Sequence, residues 1–304
     1  MIKTVYRLIF SVTAVIALVS CNSDEDLTSR FKDPTPNFLP ADTATDAISQ
    51  LRRDFYEKNG SFLLFNDTLQ HEYLGKDING DDRYFTELVD INYYTTQTLT
   101  ASEHYVYKAL RTDELKKSAT DYLERFIIPH FGKNLYPFSF LLTGTITCLE
   151  NNSNKYKSSP FAVSGQRCIA LACSQLPSLR TDNQKKMLAN RHLLVIVGRV
   201  ASNNSSKFSA FTDICSGYYN RDLLNIPDGY DMTSYLRSLG FLGAGKSKVS
   251  YPSQSEDFDA YTSLAISYTE ENVKKIYGDY PLVLKRYYLF KEALSSLGFI
   301  YDIN

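Results

Sequence analysis

Apolar residues recur every three or four positions in six stretches of the chain, the spacing that places them on one face of an α-helix. The third stretch opens at Thr181 or Asp182 and becomes so apolar in its second half that we expect it to be buried. The last stretch is strongly amphipathic. The six predicted helices are 42–58, 112–131, 181–200, 231–239, 253–268 and 281–297.

Short runs rich in apolar and β-branched residues predict strands at 61–65, 138–149 and 161–173. The last two runs are joined by the polar sequence NNSNKYKSSP. Residues 71–82 are predicted to be a loop with a turn at Asn79-Gly80. No internal repeat is visible. The pattern therefore predicts an α+β fold in which helices dominate the second half of the chain.

The first 21 residues have the layout of a secretory signal. Two basic residues precede the apolar run 8–19, and Ser20 precedes Cys21. The run is shorter than the about 20 residues that a membrane span needs. The sequence LVSC resembles the bacterial lipobox, which implies that residues 1–20 are removed and that a lipid on Cys21 anchors the protein to a membrane. An uncleaved N-terminal anchor is the alternative.

Residues 21–42 are charged and contain prolines, so we predict a tether that leads into a single domain formed by residues 43–304. The acidic sequence NSDED directly after Cys21 resembles the surface-export signal of Bacteroidetes lipoproteins; a solvated acidic linker is the alternative. We therefore expect an outer-membrane lipoprotein exposed at the cell surface, with the periplasmic face as the alternative location.

Charge excludes one class of partner. The chain has 33 basic and 34 acidic residues, a net charge of −1, and removal of Lys3 and Arg7 with the signal leaves −1 − 2 = −3. Nucleic-acid binding, which needs a basic face, is therefore not expected.

Four cysteines remain once Cys21 is assigned to the lipid. They permit two disulfides in three connectivities, or buried free thiols, and both alternatives stay open. Cys168 and Cys173 have neither the spacing of a zinc site nor that of a redox motif. The four are Cys148, Cys168, Cys173 and Cys215.

The sequence GFLGAGKS matches the nucleotide-binding pattern G-x-x-x-x-G-K-S/T in full. A P-loop requires a strand before this sequence and a long helix after it. Instead, a helix capped by Asp231 runs into it, and Pro252 breaks the chain shortly afterwards. We interpret Gly240 as the left-handed glycine that ends this helix, and we expect no ATP or GTP. The matching residues are Gly240, Gly245, Lys246 and Ser247.

The order of elements in the second half carries a family resemblance. It is strongest at GFLGAGKSKVSYPSQSEDFDAY and DYPLVLKRYYLFKEAL and extends over about residues 45–300. These features resemble the zinc-metallopeptidase-like lipoproteins of Bacteroidetes, which are often found with outer-membrane nutrient importers. The resemblance implies a zincin-like domain.

Members of that family carry HExxH on a helix, where two His bind zinc and the Glu polarises the metal-bound water. In the matching sequence NRHLLVIVG, His192 takes the place of the first His. Leu193 stands where the Glu belongs, and Ile196 stands where the second His belongs. The general base and one ligand are therefore missing.

The acidic segment that supplies a further zinc ligand in the family is matched by Glu256 and Asp257. The final Glu of that segment is replaced by Ala260, with Asp259 beside it. Ser253 and Glu256 also have the spacing of a helix capping box. His192 and Glu256 alone are too few for a catalytic site, which has three protein ligands.

We therefore expect a catalytically inactive member of the family that has no cofactor. Its expected ligand is a peptide, protein or glycan of a nutrient-import system, or a partner protein of the outer membrane. The alternative is an active zinc metallohydrolase that combines His192, Glu256 and Asp257 with His71 or Glu72. His104 and His130 are isolated in the sequence and are not expected to bind metal.

Overall fold

The computed structural model describes residues 35–89, 103–165, 167–223, 225–245 and 250–301. The predicted signal peptide, Cys21 and the tether up to residue 34 lie outside the described residues, as do Lys246 and Ser247. From Asn37 onward the chain forms a compact unit. None of the helices described is long and apolar enough to cross a membrane.

Eight α-helices are present in the described residues, and all six predicted helices are confirmed among them. Two short helices were not predicted, α4 and α7. The helices are α1 Ala47–Asn59, α2 Asp113–Phe126, α3 Asp182–Asn203, α4 Ser209–Thr212, α5 Met232–Ser238, α6 Gln254–Ser267, α7 Glu270–Tyr277 and α8 Pro281–Ser296.

The predicted strands at 61–65 and 138–149 are confirmed. The run 161–173 was expected to be one strand, but it divides into two antiparallel strands, β7 and β8, and the polar sequence before it contains β6. Residues 71–82 were expected to be a loop, but they contain the second half of β2, which pairs with β3 in a separate two-stranded sheet. The strands are β1 Phe62–Leu64, β2 Thr68–Lys76, β3 Asp82–Leu88, β4 Glu103–Ala109, β5 Ser139–Glu150, β6 Tyr156–Ser158, β7 Ala162–Ser164 and β8 Cys168–Ala172.

The main sheet is built around β5, which at 12 residues is long enough to pair with four other strands. The strand order is β1-β5-β8-β7. β1 and β8 run parallel to β5, and β7 is antiparallel to β8. β4 and β6 pair antiparallel with β5. A mixed sheet with helices packed against it is an α+β fold.

Hydrogen bonds from capping side chains define where the long helices α3 and α6 begin. The Thr181 hydroxyl accepts from the N–H of Gln184, whose side chain accepts in return from the N–H of Thr181, so α3 starts with a capping box. Ser253 and Glu256 form the predicted capping box at the start of α6. These bonds satisfy N–H groups that have no partner within the helix.

The larger hydrophobic core contains residues of β5 and β8 and of helices α2, α3, α6 and α8. A smaller core includes Phe38, Phe62 and Leu141. Phe38 belongs to the segment predicted as a tether, yet its side chain is fully buried and packs on Phe62 and Phe138. The domain, predicted to begin at residue 43, therefore includes Phe38.

Candidate functional site

A groove of about 540 Å³ lies beside the end of the main sheet, between β7, α3 and α6. One wall is the whole of β7. The opposite wall comes from α3, and α6 closes the groove at one side. Tyr105 of β4 is the only aromatic residue among those that line it.

The strand that lines the groove has backbone groups that its pairing with β8 does not use. β7 pairs with β8 and with no other strand in the described part of the chain. The N–H of Ala172 donates to the carbonyl of Phe161 at 2.8 Å, and the N–H of Gly165 donates to the carbonyl of Cys168 at 2.9 Å. Because bonding directions alternate along an antiparallel strand, the N–H and C=O groups of Ala162 and Ser164 point away from β8. This edge can accept another strand.

The wall formed by α3 consists of Leu194, Val195, Gly198 and Arg199. Val195 is 36% exposed, whereas Ile196, the next residue, is 2% exposed. The helical period of 3.6 residues places these four on one face and directs His192, Leu193, Ile196 and Val197 into the core. The groove side of the helix therefore carries no pair of histidines.

α6 contributes Asp259, Thr262 and Ser263 to the groove. The side chain of Thr262 is 2% exposed. Its hydroxyl has no hydrogen-bond partner among the described residues. A buried hydroxyl without a partner is costly, so Thr262 is an unfavourable residue for packing alone.

His192, the candidate metal ligand, is fully buried and has both ring nitrogens engaged. Its Nε2 lies 3.2 Å from the carbonyl of Ala172, so it carries the proton and donates. Its Nδ1 lies 2.9 Å from the Tyr122 hydroxyl and accepts. Burial lowers the pKa of His192 to about 4, against smaller opposing effects of the Ala172 and Phe161 carbonyls. His192 is a neutral core histidine.

Asp257 is buried in an ion pair with Arg286, whose side chain is also buried. The Tyr219 hydroxyl donates to Asp257 Oδ2 at 2.7 Å. Arg286 also donates to the carbonyls of Gly240 at 2.7 Å and of Phe211 at 3.2 Å. Asp257 therefore holds α6, α8 and the Gly240 turn together.

Glu256 accepts from the backbone N–H of Ser253 at 2.7 Å and from its hydroxyl at 2.9 Å. The structure thus gives His192, Glu256 and Asp257 three separate sets of partners. Within the described ranges no three His, Cys, Asp or Glu side chains lie close enough to hold a metal ion.

The remaining histidines are held by local contacts. His71 lies on β2, with Nδ1 2.9 Å from the Thr86 hydroxyl and its ring stacked on Tyr84. His104 Nδ1 lies 2.8 Å from Asn151 Oδ1. His130 donates to the Ile300 carbonyl at 2.8 Å and stacks on Phe299. Glu72, beside His71, accepts from Gln70.

The four cysteines of the domain are buried free thiols. Burial raises the pKa of Cys168 and of Cys173 to about 12 and that of Cys215 to about 11. Thiols with such pKa values are weak nucleophiles at neutral pH.

The helix predicted ahead of GFLGAGKS is α5, and it ends as predicted. Gly240 has φ of +96°, its N–H donates to the Arg237 carbonyl at 3.0 Å, and the N–H of Phe241 donates to the Leu236 carbonyl at 2.9 Å. This pair of bonds is a Schellman motif. A P-loop has a strand in this position.

The residues of α3 that line the groove were not predicted from the sequence. The family resemblance directs attention to His192 and Ile196, three positions before Val195 and Arg199. Val195 and Arg199 share the i, i+4 spacing of a metal-binding pair, but the apolar sequence of α3 does not show which of its faces meets the groove.

Comparison of the chain with family models, with curated proteins and with solved structures finds no match in any of the three.

Proposed function

We propose that the protein is a lipoprotein with a zincin-like, catalytically inactive domain that binds an extended peptide segment in the groove between β7 and α3. A lipid on Cys21 anchors it in the outer membrane, where it serves a nutrient-import system at the cell surface. The observation that carries the proposal is that β7, which pairs only with β8 among the described strands, lines the same groove as α3.

Peptide binding is favoured by the type of groups in the groove. An extended peptide adds a strand to a free edge through its own N–H and C=O groups, and the edge of β7 offers both at Ala162 and Ser164. The Thr262 hydroxyl and the Arg199 side chain supply polar contacts on the opposite walls. Glycan sites rely on aromatic faces, and among the described residues that line this groove Tyr105 is the only aromatic one.

The absence of catalysis is supported by the residues of the helix wall. A zinc hydrolase needs three protein ligands and a general base around one open position. On the groove face of α3, Leu194, Val195 and Gly198 offer no ligand atom, and a cation such as Arg199 repels zinc.

Replacement of Ser164 by proline tests the proposal. Proline removes the N–H that points away from β8 and places its ring there, while the β7–β8 pairing does not use this N–H. A defined mixture of tryptic casein peptides is passed over immobilised protein, and the retained peptides are identified and quantified by mass spectrometry. The wild type is expected to retain a subset of intact peptides, and Ser164→Pro to weaken their binding by about 5- to 150-fold, as expected for loss of about 1–3 kcal/mol.

Ser164→Ala is the matched control, since it removes the hydroxyl and keeps the N–H; it should bind as the wild type does. Equal retention by the proline variant with unchanged circular dichroism would rule out the strand edge as the binding site. Cleavage of the peptides after addition of zinc, with stoichiometric zinc in elemental analysis, would establish the metallohydrolase instead.

A further inference from the structure

A second cavity, of about 650 Å³, lies where helices α2 and α6 end and α3 and α7 begin. Lys291 of α8 and Tyr301 near the C-terminus contribute to its lining. None of the groove residues lines this cavity, so it is a separate site.

Positive charge in this cavity exceeds negative charge. Arg125 and Asp182 neutralise one another at 3.0 Å. Glu270 has its closest contacts with Lys274, at 2.8 Å, and with the Tyr288 hydroxyl, at 3.0 Å.

Two lysines remain after these pairings. Lys291 Nζ is 3.9 Å from Glu270, a longer contact than that of Lys274, although the Lys291 side chain is only 21% exposed. Lys186 has no ion pair or hydrogen bond in the part of the chain described. Lys291 also lies over the rings of Tyr287, at 5.5 Å, and Tyr301, at 4.5 Å, so its one carboxylate contact is long and its other contacts are with aromatic faces.

A neutral donor without a partner belongs to the same lining. The Tyr301 hydroxyl is buried and has no hydrogen-bond partner in the described chain. Lys291 Nζ lies 4.5 Å from the centre of the Tyr301 ring, which brings the ammonium group to the wall that carries this hydroxyl. The Lys291 ammonium group and the unpartnered Tyr301 hydroxyl are therefore donors in the lining of one cavity, which favours an anion as its ligand.

The surroundings favour a single negative charge. Three cationic side chains, Arg125, Lys186 and Lys291, and two carboxylates, Asp182 and Glu270, line the cavity, so the lining has a net charge of 3 − 2 = +1, which matches a monoanion better than a dianion such as phosphate. Five aromatic residues are also part of the lining and suit the flat face of a ring. The aromatic residues are Phe126, Tyr268, Tyr287, Phe299 and Tyr301.

We propose that this cavity binds a small organic carboxylate that carries a ring, with the carboxylate at Lys291 and Tyr301 and the ring against the aromatic walls. An acidic monosaccharide and an aromatic acid share this chemistry. The proposal does not depend on the groove or on peptide binding.

Calorimetric titration of the purified protein tests it with D-glucuronate and with benzoate, and with D-glucose, benzyl alcohol and inorganic phosphate as comparators. We expect at least one carboxylate to bind, at least tenfold more tightly than its neutral analogue and than phosphate. The acid that binds shows whether the ring of the ligand is a sugar ring or an aromatic ring. Absence of binding by both acids, or equal binding of the neutral analogues or of phosphate, would overturn the proposal.

Two variants locate the carboxylate. Lys291→Gln is expected to weaken binding at least tenfold, and Lys285→Gln, an exposed lysine of the same helix, should leave it unchanged. Tyr301→Phe removes a hydroxyl that has no partner in the free protein, so it should weaken binding severalfold without lowering the melting temperature. Unchanged affinity in both Lys291→Gln and Tyr301→Phe would contradict the assignment.

Discussion

At the scale of single residues, the positions that resemble metal ligands have their lone pairs in use. His192 accepts at Nδ1 from Tyr122 and donates at Nε2 to Ala172, so no ring nitrogen is left for a metal. Asp257 accepts from Arg286 and Tyr219. A buried charge of this kind is tolerated because its partner is also buried and fully hydrogen-bonded. These residues stabilise the fold.

The neutral state of His192 makes stability depend on pH. The folded pKa of about 4 lies below the unfolded value of 6.5, so the unfolded chain binds a proton that the folded chain does not. The His192 contribution is therefore complete above about pH 6.5 and is lost as pH falls toward 4, by roughly 3 kcal/mol. Urea unfolding of wild type and His192→Gln between pH 4 and 7.5 measures it.

The difference between the two proteins isolates His192, because the carboxylates titrate in both. We expect the wild type to lose more stability than His192→Gln across this range. A difference that does not change with pH would mean that His192 is not buried in the neutral form.

At the scale of elements, helices with a buried stripe and a clear cap could be predicted from the sequence, and elements without a buried face could not. α3 and α6 have both signals: α3 begins at Asp182, one of the two starts expected for it, and α6 begins with the predicted capping box of Ser253 and Glu256. Most side chains of β2 are at least partly exposed, so no apolar alternation distinguishes it from a loop. Five of the eight residues of α7 are charged or carry a side-chain amide, and Val273 is its only buried residue.

The same reasoning explains how far the groove could be predicted. Burial of α3 follows from its apolar second half, but an apolar helix offers no polar face from which to infer its rotation. The family resemblance implies that the face of α3 with His192 points toward the binding cleft. In the structure that face, with Leu193 and Ile196, packs in the core, so the other face of α3 lines the groove. The free edge of β7 depends on the strand order, which short runs of apolar residues do not encode.

The Gly240 turn provides a prediction at this scale. A Cβ at Gly240 would lie 2.9 Å from Arg286 Cδ and 3.4 Å from Leu282 Cβ, and φ is +96°. Gly240→Ala should therefore destabilise the protein by about 2–4 kcal/mol, about half from the left-handed backbone and the rest from the displaced Arg286. Urea unfolding measures the loss.

Gly243→Ala is the matched control in the same octapeptide, since a Cβ there meets no atom within 4 Å. It should change stability by less than about 0.5 kcal/mol. An equally small effect at Gly240 would mean that this turn does not hold Arg286 in place.

At the scale of the whole molecule, one core connects the sheet to the helices of the second half. Phe55 of α1, Phe140 of β5 and Phe290 of α8 belong to the same cluster, although they are far apart in sequence. The groove has one wall from β7 and another from α3 and α6, so its shape depends on this shared core. If the sheet unfolded separately from the helices, the groove would be lost while the helices were still folded.

We therefore predict that the domain unfolds in a single cooperative transition. Far-UV circular dichroism reports mainly the helices, and fluorescence of the 23 tyrosines reports both halves in a chain without tryptophan. The two signals should change together in urea. Phe140→Ala in the sheet and Phe290→Ala in α8 should each shift both transitions by about 3–5 kcal/mol, whereas Ile276→Ala, which is 43% exposed, should shift neither appreciably. If Phe140→Ala moved the fluorescence transition and left the helical signal in place, the sheet and the helices would be separate folding units, and the groove would be an interface between them.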